Sequence, residues 1–556
     1  MDRFNQLLMI LTVVVLINIP SCSGTKPRRT SIVVALADDL GFGDVEYNKP
    51  INDTSGARTP QLNDMARAEN VMILSNFHSA SSVCSPSRSS FLSGRMPDRE
   101  CVGGPNDNFD KPGREYQDVF PFRKGMASIA RFAKLAGYAT GFFGKWHLGP
   151  IKSRNPGTMG FDTWIASAGN MPTYDPACLE REARCQAKRC RSPGDECFVY
   201  RRRRRGNECS SRFTARECYV GHYGHPWMFS RSWSPSMFQG FNASLPKVPK
   251  GATIPRRVML SDFVVDQFEA FASAVNPEVP IFAYVWFHAP HHPFIASPEL
   301  GRECLQGKIC RRNYTTISKE VDYFGVVHAL DGAIGRIRSI LRALNRADDT
   351  LLIVTSDNGP LNRPGAGDSG GSAGPFRGYK GSIQEGAHRV VGLLEWPATI
   401  KENSKLDIVA SSLDLFPTFL DVFKQENMTV NFSSLYARPS DGTSLLPLLK
   451  GNVSLEEWET TRKPFAMCEP LEYTIRYCQS FAYYYEGWKI VAGRKSVIRP
   501  SDLRLYNVTA DPMELRNVAG ENKSVIQAAY PQVIAWLRGV ENEVRTHCKN
   551  VAFRNG

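Results

Sequence analysis

Five apolar, β-branched runs constrain this chain more than any other feature: Ser31–Leu36, Val71–Ser75, Thr140–Gly144, Ile281–Phe287 and Leu351–Thr355. They alternate with stretches of helical period. Between the last two, Val327, Leu330, Ile334, Ile337, Leu341 and Leu344 recur at steps of three and four, which makes one apolar stripe on a helix. Arg336, Arg338 and Arg342 fall on its other face. Strands that alternate with helices predict a doubly wound α/β domain with a central mixed, mostly parallel sheet. With 42% hydrophobic and 22% charged residues, the chain is not a disordered, collagen-like or coiled-coil protein. Its 556 residues are ample for a large core.

The pattern divides the chain. Residues 1–23 read as a secretory signal: Arg3 supplies positive charge, Leu7 to Ile19 is apolar, and Pro20 to Gly24 offers small residues for cleavage. The run is too short to span a bilayer, and no later stretch is long and apolar enough. Residues 24–430 form the expected catalytic domain. Within it, 178–218 reads as a cysteine-rich, basic insertion with little apolar periodicity. Residues 431–556 are expected to form a smaller α+β domain with an antiparallel sheet. Ser480–Tyr485, Trp488–Ala492 and Leu503–Tyr506 are its strands, and Ser524–Arg538 is a closing helix that Pro531 interrupts.

Export has further support. Eight Asn-x-Ser/Thr sites (Asn52, Asn242, Asn313, Asn427, Asn431, Asn452, Asn507 and Asn522) suit a glycoprotein of the secretory route, extracellular or lysosomal. Of 14 cysteines, Cys22 leaves with the signal, so 13 remain and one is unpaired. Cys178, Cys185, Cys190, Cys197, Cys209 and Cys218 cluster, Cys304 lies near Cys310 and Cys468 near Cys478, while Cys101 and Cys548 are isolated. Spacing alone leaves two assignments open: Cys84 is the free thiol, or Cys84 bridges Cys101 and another thiol is free.

The strands end in polar residues. Ser31–Leu36 runs into Asp38 and Asp39, Leu351–Thr355 into Asp357 and Asn358, Ile281–Phe287 into His288, His291 and His292, and Thr140–Gly144 into Lys145 and His147. Val71–Ser75 leads to Cys84 and a helix starting near Ser87. Open α/β sheets bind ligands just beyond the carboxyl ends of their strands, so these ends are expected to line one crevice. Two acidic pairs that offer only oxygens suit calcium or magnesium rather than zinc. His147 and His291 exchange protons near neutral pH. Lys145, Lys380 and Arg88 suit the clamping of an anion. Lys380 closes a Gly-rich stretch from Gly365 to Gly381, read either as a mobile loop or as one that brings backbone and lysine to a ligand.

Cys84-Ser85-Pro86-Ser87-Arg88, followed by Leu92-Ser93-Gly94-Arg95, resembles the C-x-P-x-R signature of the formylglycine-dependent sulfatases. Gly144-Lys145-Trp146-His147-Leu148-Gly149 is similar to their second signature. The blocks at 35–41, 356–359, 380–386 and 505–512 are similar to further family blocks in family order. The resemblance implies an alkaline-phosphatase-like domain and one bound Ca2+. It implies that a formylglycine-generating enzyme converts Cys84 to 3-oxoalanine, and this accounts for the odd cysteine. An aldehyde hydrates to a diol: one hydroxyl attacks sulfur, and the other allows the covalent sulfate to be expelled by C–O cleavage. By the same resemblance, Asp38, Asp39, Asp357, Asn358 and modified Cys84 hold the metal. Arg88 orients the diol, and His147 takes its proton. Lys145 and Lys380 bind sulfate, and His291 protonates the leaving alcohol. His291 is preferred over His288 because His291-His292-Pro293 matches the family's H-x-P step. Tyr379 and His388 depart from the family pattern and are expected along the pocket.

The resulting reading is a sulfuric ester hydrolase acting on a sulfated substrate, with a carbohydrate as the expected class. A phosphate or phosphonate ester hydrolase of the same fold is the second reading. A catalytically silent binder of sulfated matrix is the third. The net charge of +13 favours anionic partners. Nucleic acid is not among them, because an exported chain without aromatic interleaving lacks that footprint. The Arg201–Arg205 run has three readings: a solvated loop, a convertase cleavage site or a glycan contact.

Overall fold

The computed structural model describes residues 28–50, 52–104, 126–149, 155–167, 259–292, 295–362, 370–426, 438–469, 478, 480–493 and 497–548. The signal segment, the cysteine-rich insertion with its six cysteines, the Arg201–Arg205 run, Asn242, Asn427 and Asn431 lie outside them. No helix among the described residues is long and apolar enough to cross a membrane.

The central sheet has eight strands in the order β10-β2-β9-β7-β1-β6-β4-β5. Its middle is parallel: β7 (Thr350–Ser356), β1 (Ser31–Ala37), β6 (Ile281–Trp286), β4 (Ala139–Lys145) and β5 (Thr163–Ser167). β9 (Gly392–Glu395) runs against both β7 and β2 (Val71–Leu74), which makes the sheet mixed. β10 (Ser404–Leu406) closes the edge parallel to β2. All five apolar runs are strands.

Every residue of β1 is buried, because successive side chains point to opposite faces and both faces are covered. Val33, Ala35 and Ala37 enter one core. The helices Leu260–Ala274 and Lys319–Ala343 line that core with Phe263, Phe268, Val327 and Ile337. Ile32, Val34 and Leu36 enter the other, with Phe132, Phe416 and Phe419. The apolar stripe holds on Lys319–Ala343, but its arginines are not simply solvent-facing. Arg338 is buried and grips Glu395 through Nε and Nη2 at 2.8 and 2.6 Å, and Arg336 reaches Asp266 at 2.6 Å. Glu395 ends the interior strand β9 and Asp266 lies on the neighbouring helix Leu260–Ala274, so the flanks of this helix find partners as well as its apolar face.

The core of the second face extends past residue 431. Leu446, Leu449 and Trp458 pack in it, and the four-stranded antiparallel sheet starts only at β12 (Ala466–Cys468). It continues through β13 (Ser480–Tyr485), β14 (Trp488–Gly493) and β15 (Arg504–Tyr506). The closing helix spans Lys523–His547 with Pro531 inside it. It is therefore not interrupted at the proline: Ile526, Ala529, Val533, Val540 and Val544 pack against the small sheet on both sides of it. A third sheet joins β3 (Phe77–His78) between β11 (Ala410–Ser411) and β8 (Arg389–Val390). Its strands are interleaved in sequence with those of the central sheet, and β3 carries the chain from β2 toward Cys84.

Three bridges form among the described cysteines: Cys101–Cys548, Cys304–Cys310 and Cys468–Cys478. Cys84 is the free one, and it is buried. The alternative pairing of Cys84 with Cys101 is therefore excluded.

Candidate active site

Four adjacent parallel strands put their carboxyl ends side by side. β7 delivers Asp357 and Asn358, β1 Asp38 and Asp39, β6 His288 and His291, and β4 Lys145 and His147. β2 points the same way but is separated from β7 by β9. Its residue comes by another route, because Cys84 is the first residue of the helix Cys84–Ser93, reached through β3.

The carboxyl ends are drawn tightly together. Gly144 has φ 116°, and a Cβ there would lie 1.9 Å from the carbonyl oxygen of Trp286. Only glycine lets β4 approach β6 this closely before Lys145. Asp39 and His147 adopt left-handed backbone with φ 65° and 55°. Non-glycine residues pay of order 1–3 kcal/mol for such conformations, and they cluster where side-chain aim matters.

Cys84 Sγ lies 3.3 Å from Asp38 Oδ1, 3.9 Å from Asp39 Oδ1 and 3.1 Å from Lys380 Nζ. Burial pushes its thiol well up, against the pull of Lys145 and Lys380. Lys380 reaches Asp39 Oδ1 at 2.7 Å, and Lys145 pairs with Asp38. Burial alone would raise Asp38, but Lys145, His291, Arg88 and Lys380 together hold it well below the usual carboxylate range.

Arg88 is fully buried. Its Nε and Nη2 donate to Asp357 Oδ2 at 2.9 and 2.7 Å, and Nη1 donates to the Lys145 carbonyl at 2.8 Å. Its guanidinium lies over the Trp286 ring. This arginine ties the ends of β7, β4 and β6 together, and two N–H groups on one carboxylate oxygen, a third on a carbonyl and a stacked face are a set that suits arginine and not lysine.

The donors fit a hard cation. One ligand atom each from Asp38, Asp39, Cys84 and His291 lies within 4.8 Å of the others. Asn358 donates through Nδ2 to Asp39 Oδ1 at 2.7 Å, while its buried Oδ1 has no hydrogen-bond partner among the described residues. Such an orphaned carbonyl calls for an explanation, and a cation beside Asp39 provides one. Asp357 is placed differently. One of its oxygens is held by Arg88, and the other accepts from the Asp39 N–H at 3.2 Å. Three carboxylates (Asp38, Asp39, Asp357) face three cations (Arg88, Lys145, Lys380), so a divalent ion would leave the pocket positive and ready for an anion.

Both candidate histidines of the β6 end reach the site. His291 Nε2 lies 3.5 Å from Asp39 Oδ2. Burial, then Lys380, pushes its pKa down to about 3. His288 is deeper, with Nε2 2.6 Å from Ser167 Oγ at the end of β5. Sequence reasoning missed Ser167, since nothing in a lone serine marks it. His147 is buried on the turn that follows β4. His388, expected along the pocket, is not there: it is fully buried between His78 and Lys489, away from Cys84.

The Sulfatase family model matches residues 30–425. Steryl-sulfatase of Rattus norvegicus is 26% identical over 481 residues, covering 79% of this chain and 73% of that protein. N-acetylgalactosamine-6-sulfatase of Homo sapiens is 28% identical over 432 residues, covering 77% and 67%. The crystal structure of Ps i-CgsB in complex with k-i-k-neocarrahexaose is similar with a TM-score of 0.65 at 22% identity, covering 92% of this chain and 93% of that one. The fold is thus alkaline-phosphatase-like. With the family match running from β1 through the helix after β11, the chain belongs to the sulfatase family of sulfuric ester hydrolases.

Proposed function

We propose that this chain removes sulfate from a sulfated carbohydrate, with Cys84 converted to formylglycine and one Ca2+ held by Asp38, Asp39, Asn358, Asp357 and the modified Cys84. The observation that carries the reading is the setting of Cys84. It is the unbridged cysteine of the described residues, at the first turn of a helix, between Lys380 and Asp38. A buried thiol with a raised pKa is a poor nucleophile as it stands, so its placement suits a precursor to be modified. The carbohydrate class rests on the human relative's name and on the oligosaccharide in the similar crystal structure.

Calcium supplies Lewis acidity toward an anionic ester, and hydrated formylglycine supplies a hydroxyl nucleophile with a second hydroxyl on the same carbon. The chain's own groups do the rest. Lys145 and Lys380 turn from the carboxylates to the sulfate oxygens. Arg88 holds Asp357 and the Lys145 backbone in place and so orients the diol from behind. His147, on its fixed left-handed backbone, accepts the proton of the remaining hydroxyl. His291 presents Nε2 to the leaving alcohol oxygen. With only protein groups around it His291 is neutral at pH 5–7, and a bound sulfate beside Lys380 favours its protonated form. Maturation in the secretory pathway, by a formylglycine-generating enzyme, and a lysosomal or extracellular destination belong to the same reading.

The test is peptide mass spectrometry across Phe77–Arg88 of the secreted protein, with paired assays on 4-nitrocatechol sulfate and 4-nitrophenyl phosphate. An aldehyde at residue 84 with preference for the sulfate supports the reading. An unmodified thiol, or preference for the phosphate, overturns it.

A further inference from the structure

A second buried cluster lies between the central domain and the small sheet. Lys489 projects from β14 and is fully buried. Its Nζ donates to the Ile383 carbonyl at 3.0 Å and pairs with Glu385 Oε1 at 3.0 Å and Glu514 Oε1 at 2.9 Å. It also lies 3.4 Å from His388 Nε2. From His388 the contacts run on to β3: His388 Nδ1 meets His78 Nδ1 at 3.0 Å, and His78 Nε2 meets Asn76 Oδ1 at 2.7 Å. The carbonyl and the two glutamates take the three N–H donors of Lys489, and His388 Nε2 also lies 3.3 Å from the Ile383 carbonyl. Tyr484 donates to Glu385, and Arg389 lies 3.4 Å from its other oxygen. His78, Glu385 and His388 have the spacing of a metal site, but the Lys489 ammonium already supplies the positive charge beside Glu385 and His388.

This cluster grips a loop whose Lys380 Nζ lies 3.1 Å from Cys84 Sγ. Residues 377–388 form a loop closed by Gly386 N–H to the Arg377 carbonyl at 2.7 Å. Lys380 lies at the loop's other end, anchored by its own N–H to Pro360 and by Gly381 N–H to Ser82, at 2.9 and 2.8 Å. Glu385 N–H donates to Glu514 Oε2 at 2.7 Å. The same loop supports the metal-side turn, since Gly359 N–H donates to the Ala387 carbonyl at 2.8 Å. The small sheet therefore reaches the loop that carries Lys380 through Lys489 of β14 and Tyr484 of β13.

We infer that Lys489 is a positioning residue, which sets the place of Lys380 and hence the affinity of the site for an anionic ester; this rests on the sulfatase reading of the site. Two glutamates and a carbonyl converge on its ammonium, and a buried ion network of this kind holds geometry only while every member is satisfied.

The test uses the full secreted chain with Lys489→Met, Lys489→Arg and the milder Glu514→Gln. The readouts are KM and kcat on 4-nitrocatechol sulfate, inhibition by inorganic sulfate, and amide exchange of residues 380–388. For Lys489→Met we expect KM and the sulfate inhibition constant to rise about 10- to 100-fold with a smaller change in kcat, as for other residues that orient a ligand from behind. Exchange in 380–388 should quicken, and Lys489→Arg should recover most of the loss. If Lys489→Met does not fold, Glu514→Gln should show the same pattern more weakly. A folded Lys489→Met or Glu514→Gln protein with unchanged KM, sulfate inhibition and exchange overturns the inference. If wild type proves inactive on the sulfate, the sulfatase reading of the site fails, and the exchange readout alone decides whether Lys489 holds the loop.

Discussion

Arg88 shows at the residue scale how structure and chemistry share one side chain. Its guanidinium has no exposed surface, and two of its N–H groups donate to one oxygen of Asp357. Replacing it by methionine leaves a carboxylate buried without its cation, so we expect a loss of about 3–5 kcal/mol in denaturant unfolding. Cys84→Ala should behave in the opposite way. Turnover disappears, while stability stays within about 1 kcal/mol of wild type, because no bridge is broken and only one small side-chain group is removed. Scrambled disulfides in that variant would refute the placement. Asn358→Ala should lower calcium per chain, measured by elemental analysis, with the fold intact; unchanged calcium would remove Oδ1 from the ligand set. The ten proposed site residues were readable because each follows a strand or a signature. Ser167 and Lys489 were not, since a serine and a lysine on a strand look the same whether they face solvent or a buried partner.

Elements were legible where periodicity was strong. β1, β2, β4, β6 and β7 match their apolar runs to within a residue or so at each end, because strands buried on both faces leave no polar alternation to mislead. The closing helix was underestimated. Pro531 costs one hydrogen bond, but five apolar residues from Ile526 to Val544 pack on the small sheet and outweigh it. The end of that helix is tied down as well. Cys548 bridges Cys101, and Glu543 pairs with both Arg95 and Arg99. Cys548→Ser should cost about 2–5 kcal/mol in thermal or denaturant unfolding, since the bridge closes a very long loop. A change below about 0.5 kcal/mol would mean that apolar packing and the ion pairs hold the helix end without the bridge.

For the whole molecule, the two bodies are held by a joint that acid should loosen. Burial, above all, holds His78 and His388 below their usual range, His388 at about 3. The groups facing them are Lys489, Glu385, Glu514, Arg389 and Tyr484, and Glu385 stays ionised because, against its burial, Lys489 and Arg389 help hold it well below its usual range. Opened histidines bind protons near pH 6.5 and closed ones do not. The joint's stability is thus complete above that pH and declines below it, by up to about 1.4 kcal/mol per pH unit for each histidine. Amide exchange of Gly386, Ala387 and His388, corrected for intrinsic rates, should quicken between pH 7 and 5; unchanged protection would refute this. The small sheet was legible as a separate body, but its junction was not, because burial of Lys489, His78 and His388 arises only when distant segments meet. The Cys101–Cys548 bridge has one more consequence. It makes a covalent ring of everything between those residues, 447 positions apart. A backbone cut inside that ring, including one at Arg201–Arg205, yields two chains that travel as one molecule until a reductant parts them.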